Sequence, residues 1–281
     1  MNVNPVASRA GAVQSAIALA SAKTGIDFNY LLGQAQVESG LNANARAGTS
    51  SASGLYQFID QSWLAVVKKH GAEHGLGWAA DSIQQGAGGK LTVADAGTRQ
   101  AILALRNDPE AASLMAAEHA ADNKAAIEGS LGRTATGTDL YMAHFLGLGG
   151  ARSFLRQLDS NPNKIGAALF PAAANANRNI FYAGNGQPRT IADIYQRFAA
   201  KLDKGAADVG ATGLASAKLD PGTATDTEII PGNGESQSGA THWAQATLDQ
   251  LNGGARRAET VLRPTPDNAR LAYMMLASMG G

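Results

Sequence analysis

A single glutamate carries the first chemical signal in the chain. In FNYLLGQAQVES, Leu31, Ala35 and Glu38 fall at i, i+4 and i+7, so a helix places them on one face, and that face is apolar. Desolvating a carboxylate is expensive unless it takes up a proton. A carboxyl held out of water and protonated near neutrality is what a general acid requires. Glycosidic cleavage needs such a donor, because the leaving oxygen does not depart as an alkoxide. The plainer alternative is a last-turn glutamate that rotates far enough to reach water.

The residues after Glu38 come in an unusual order. A loop of small and polar residues, NANARAGTSSAS, leads at once into an apolar, amide-bearing turn, Gly54-Leu55-Tyr56-Gln57-Phe58. A second group, His70, Glu73 and His74, matches the H-x-x-E-H pattern of one metalloprotease group. Metal binding there needs a rigid helix under both histidines, and Gly71 interrupts it. No downstream glutamate singles itself out as a further ligand, so neither a metal nor a cofactor is expected.

Helices must position these residues. The first of interest starts at Asp27, a suitable N-cap, and stops at Gly40. DQSWLAVVKKH comes next, with Trp63, Val66 and Val67 on one face and Gly71 at its end. Residues 71–92 are rich in glycine and read as irregular. Helices resume at DAGTRQAILALRN and at DPEAASLMAAEHAADNKAAIEG, the latter with Asp108 as cap and Pro109 in the first helical position. TDLYMAHFLG, GARSFLRQL and TIADIYQRFAAKL complete a helical region that ends near Lys204. Period-3.6 patterns dominate and no alternating strand is found, which predicts an all-α fold.

From residue 205 to 240 the chain has no aromatic residue and is dense in Gly, Ala, Ser and Thr, so it reads as a flexible linker. Two short helix candidates lie within 241–281, and in the second Leu271, Met274, Met275 and Met279 cluster at helical spacing. The expected organisation is a helical lead-in at 1–24, a catalytic-sized domain at 25–204, the linker, and a C-terminal helical segment at 241–281. That segment offers an adaptable, methionine-rich face for docking a protein partner; packing back on the domain is the alternative.

Composition narrows the function classes. Of 281 residues, 44% are apolar, but much of this is alanine, which favours helix and buries little area. Lys+Arg and Asp+Glu both number 23, so the chain carries no basic footprint for nucleic acid or anionic membrane. There is no cysteine, which excludes disulfides and thiol nucleophiles. The first 25 residues lack the unbroken apolar core of a secretory signal, and no stretch nears the roughly 18 apolar residues of a membrane span.

The pair Glu38-Ser39, the polar loop and GLYQF together resemble the signature of the SLT-type lytic transglycosylases, goose-lysozyme-like enzymes that cleave peptidoglycan glycan strands. The resemblance covers about residues 25–203 and is specific at 38–58. It implies a lysozyme-like helical domain with Glu38 as acid and then base. It further implies that Gln57 bonds sugar substituents and that Gly54 lets backbone approach the glycan. Ser50, Ser51 and Ser53 would supply hydroxyls near the acid, and Tyr56 belongs to the same substrate-binding turn; each serine alone reads equally as a loop former. Members usually carry Ala-Tyr-Asn-Ala-Gly later in the chain. Here Ala143-His144-Phe145-Leu146-Gly147 stands in its place, so His144 takes the tyrosine's position in a divergent branch. Tyr195 resembles the tyrosine that members place beside the glutamate on their last core helix. Asn175, Asn177 and Asn179 suit sugar recognition or turn formation.

Lysozyme-like hydrolases use a second carboxylate, for which Asp60, Glu73 and Asp81 are the candidates. Asp60 is better placed to cap DQSWLAVVKKH, so a single-acid transglycosylase is favoured over a muramidase. A glycan-binding scaffold without activity is the non-enzymatic alternative. The substrate lies outside the cytoplasmic membrane, which implies a periplasmic or wall-facing protein exported by a dedicated machine, or a virion component.

Overall fold

The computed structural model describes residues 5–48 and 50–219. Among them are eleven helices and one two-stranded sheet, an all-α fold. No helix of the described residues is long and apolar enough to cross a membrane. Helix α1 spans Pro5–Thr24 and α2 Phe28–Ser39; α3 is Asp60–His70 and α4 Gly77–Ser82. Strands β1 (Ile83–Gln85) and β2 (Leu91–Val93) come next, then α5 (Ala96–Ala104), α6 (Pro109–Leu131) and α7 (Gly137–Ser160). Three short helices, α8 (Gly166–Leu169), α9 (Pro171–Ala176) and α10 (Arg178–Phe181), precede α11 (Ile191–Asp208).

Local sequence accounts for most boundaries. Asp27 accepts from the Tyr30 amide to cap α2, and Gly40 ends it in the left-handed conformation. Asp108 caps α6 with Pro109 in its first turn. Thr136 and Thr190 open α7 and α11 with reciprocal capping boxes to Asp139 and Asp193. The two segments expected at residues 138–147 and 150–158 form one helix, α7, kinked at Gly147 (φ 67°, ψ 161°).

The core forms where α2 is enclosed by α1, α6 and α11. Tyr30, Leu31, Leu32 and Ala35 of α2 are fully buried with Trp63 and Leu64 of α3 and Phe154 of α7. Trp63 donates its indole N–H to the Ile102 carbonyl at 2.7 Å, so the largest core side chain leaves no polar group unpaired. Glycines set how closely α2 and α11 approach. A Cβ at Gly33 would lie 2.9 Å from the Leu202 carbonyl oxygen, and one at Gly205 would lie 2.8 Å from Val37 Cγ2.

Three expectations about the frame are corrected. Helix α1 is no separate lead-in: Val13, Ile17 and Ala20 are buried against the core, and Gln14 donates to the Val209 carbonyl at 3.0 Å. Residues 205–219 are not a linker. Helix α11 continues to Asp208, Ala206 and Ala215 are buried, and the chain pairs back to α7 through Thr136 and Lys218. Small residues that look unable to form a core of their own fill the narrow space beside Gly33. Residues 71–92 hold a 3₁₀ turn at Gly71–His74, α4 and the antiparallel pair β1–β2 with Ile83 opposite Val93. Three-residue strands are too short for an alternating pattern to register. As expected, Gly71 ends α3 as its C-cap; its backbone is right-handed (φ −57°), and the 3₁₀ turn that follows stops at left-handed Gly75. The remainder of the expected linker and the docking segment at 241–281 lie outside the described residues.

Candidate active site

Glu38 is buried in the last turn of α2, with 6% of its surface exposed. That exposure excludes the rotation into solvent that a last-turn glutamate could make. Tyr141, on α7, donates its hydroxyl to Glu38 Oε1 at 2.9 Å. Burial, followed by the Glu38 charge, pushes the Tyr141 phenol well above its ordinary range, so it stays a neutral donor. His144 lies one turn further along α7, with Nε2 3.7 Å from the same Glu38 oxygen. Its ring stacks on Tyr141 at 6.2 Å between centroids, and its buried Nε2 has no hydrogen-bond partner. From α11, Lys201 faces Glu38; burial lowers the ammonium's pKa and the Glu38 charge opposes that shift. Tyr30 completes the surround, its phenol raised by burial, Tyr56 and Glu38 in that order.

His144 connects this carboxyl to a cleft of about 230 Å³. The cleft is lined by Gln57, Phe58, Ile59 and Ser62 on one side and by His119, Asn123, His144 and Gly147 on the other. The Gly147 kink in α7 opens onto it. His119 is pushed down to about 4, chiefly by burial and then by the charge on His144. Among the described lining residues there is no carboxylate.

The loop after Glu38 is built on Arg106, a residue with no signal in the sequence. Its buried guanidinium donates to the carbonyls of Ser51 (2.8 Å) and Phe58 (2.9 Å) and pairs with Asp60 Oδ1 at 3.0 Å. Burial lowers its pKa while Asp60 opposes the shift. Gly54 (φ 82°) crosses the Arg106 backbone so closely that a Cβ would sit 1.8 Å from the Arg106 carbonyl oxygen. Asp60 does not cap α3, whose N-cap is Ile59. Instead it neutralises Arg106 and Arg99, the latter at 2.6 Å.

Several of the expected substrate contacts are spent on structure. Gln57 does line the cleft, at φ 50°, but its amide nitrogen donates to the carbonyls of Gly54 (2.8 Å) and Ala45 (3.3 Å). Ser51 accepts from the Asp60 amide, and Ser53 donates to Asn107 Oδ1 at 2.9 Å. Gly54 meets protein backbone on the side where a glycan was expected. Tyr56 is 1% exposed and faces the interior near Ser113. Tyr195 is not beside the glutamate: its hydroxyl donates to Asp139 Oδ1 at 2.9 Å and bonds Thr136, tying α11 to the cap of α7. The tyrosine that reaches the glutamate is Tyr141, three residues before His144. Phe145 packs on Phe198 at 4.8 Å in the core. Asn177 is buried and donates to the Ala173 carbonyl, and Asn179 lines a second pocket with Arg178, Tyr182 and Arg189.

No protein-family model matches the chain. The site offers one buried carboxyl with a fixed donor, an unpartnered histidine nitrogen beside it, and an adjoining cleft whose described lining holds no carboxyl.

Proposed function

We propose that this chain is a peptidoglycan lytic transglycosylase that cleaves the β-1,4 bond between N-acetylmuramic acid and N-acetylglucosamine. The observation that carries the reading is the burial of Glu38, held by Tyr141 and joined through His144 to a cleft bounded by the Gln57 turn. Protonated Glu38 donates to the glycosidic oxygen as the bond to the anomeric carbon breaks. The muramyl C6 hydroxyl then attacks that carbon, and the Glu38 carboxylate takes the hydroxyl proton, leaving a 1,6-anhydro end. Protons balance over the cycle and no water is consumed. Tyr141 orients the carboxyl, and His144 is placed to bond either Glu38 or a glycan hydroxyl.

Two features favour this over a two-carboxylate hydrolase. Asp60 is neutralised by Arg99 and Arg106, and Glu73 is turned toward His70. Mass spectrometry of the muropeptides released from purified sacculi tests the reading, with anhydro-muramyl ends expected. Reducing muramic ends would replace it with hydrolysis. The site of action is the wall-facing side of the cytoplasmic membrane, where such an enzyme opens the wall locally for a flagellar or other export apparatus, or for a phage.

Tyr141→Phe removes only the hydroxyl that fixes Glu38. Sacculus clearance should fall about tenfold or more, while stability drops by about 1–3 kcal/mol, the cost of leaving a buried carboxyl oxygen without its hydrogen bond. Undiminished clearance would mean that Tyr141 does not position the acid.

A further inference from the structure

We propose that His70, Glu73 and Glu118 bind one divalent transition-metal cation of the zinc type, clipping α3 and its 3₁₀ extension to α6. The three residues bring one ligand atom each to within 4.8 Å of one another. His70 Nε2 lies 3.0 Å from Asp122 Oδ2, and Lys69 holds the other Asp122 oxygen at 2.6 Å. An ionised carboxylate only accepts, so the neutral tautomer that bonds Asp122 has its hydrogen on Nε2 and offers Nδ1 as the lone pair a cation would take. That nitrogen is buried and has no hydrogen-bond partner. It faces Glu118 Oε2 at 3.5 Å and Glu73 Oε2 at 3.7 Å. Three acceptors turned toward one another repel; a cation among them reverses the sign.

The two histidine-to-carboxylate separations, 3.5 and 3.7 Å, and the local charge agree with this occupant. Tetrahedral zinc, with bonds of about 2.0–2.2 Å to nitrogen and oxygen, sets its ligand atoms roughly 3.3–3.6 Å apart. The 3₁₀ turn at Gly71–His74 supplies the alignment, because residues three apart eclipse in that geometry and so bring Glu73 over His70. Gly71, which in the sequence argues against a rigid ligand pair, is the first residue of that turn. The downstream glutamate that the sequence did not single out is Glu118, 44 residues beyond His74. His74 is not a ligand here: its Nε2 lies 2.8 Å from Glu118 Oε1 and orients that carboxylate, as Asp122 orients His70. Glu73, Glu118 and Asp122 against Lys69 leave two negative charges, matched by a divalent cation. Glu73 is largely exposed, so water reaches the fourth position and a chelator can remove the metal. The clip is structural and takes no step in glycan cleavage, so it stands or falls independently of the function proposed above.

The test is calorimetric titration of Zn²⁺ into the full, tag-free, EDTA-stripped chain, with thermal unfolding alongside. One equivalent should bind, and a hundredfold excess over Kd should raise Tm by about 5–10 °C. Glu73→Gln and Glu118→Gln should each weaken binding at least about tenfold. Because the Glu73 side chain is exposed, its variant should keep the metal-free Tm of the parent and so remains decisive if Glu118→Gln folds poorly. Absence of binding would overturn the site. Equal affinity in Glu73→Gln would also overturn it, since the cation would then sit elsewhere in the chain.

Discussion

Glu38→Gln is expected to abolish sacculus lysis, with a loss of about 10²–10⁴-fold or more, while wall binding and the fold remain. The replacement is isosteric, and its amide oxygen still accepts from Tyr141, so the buried position keeps its shape and its hydrogen bond. What disappears is a group able to give a proton to the leaving oxygen and take one back. Tm should therefore stay within a few degrees of the parent. Lysis by Glu38→Gln at the parental rate would end the enzymatic reading, whereas retained wall binding without lysis separates catalysis from mere glycan recognition.

Gly54→Ala should have the largest effect on stability among changes in the loop. The added methyl would meet the Arg106 carbonyl oxygen at 1.8 Å, and the backbone there has φ 82°, a region that side chains rarely adopt. The clash is with main chain, so no rotamer change relieves it. Moving Arg106 would release the Ser51 and Phe58 carbonyls and leave Asp60 short of a partner. Strain and overpacking together should cost about 3 kcal/mol or more, lowering Tm by about 6–12 °C. Gly48→Ala is the control: that glycine is exposed and its Cβ meets nothing within 4 Å. Equal Tm for both variants would show that the Gly54–Arg106 crossing does not hold the loop.

Local signals located most of the frame. The caps at Asp27 and Asp108 lie beside the residues they serve, and the Gly40 stop is likewise a matter of a single backbone conformation. The period of FNYLLGQAQVES placed Glu38 on the buried face, because helical geometry alone puts it in line with Leu31 and Ala35. Where the expectations failed, the missing partner was far along the chain. Residues 205–219 look too weak in apolar character to order, but a groove lined by Gly33 accepts small residues only. Asp60 reads as a cap until Arg99 and Arg106 arrive from a later segment.

Periodicity and neighbours within a few residues suffice for the helical class, the burial of one carboxyl and the nearness of a turn bearing Gln57. They do not say which side chains meet that carboxyl or which are consumed in holding the loop; those outcomes belong to the packed molecule. Tyr141, and not Tyr195, is the tyrosine beside Glu38, and the amide and hydroxyls of the turn bond to protein. The reason is that a hydrogen bond spanning 103 residues, as between Tyr141 and Glu38, depends on how α2 and α7 pack together. No local pattern encodes that distance.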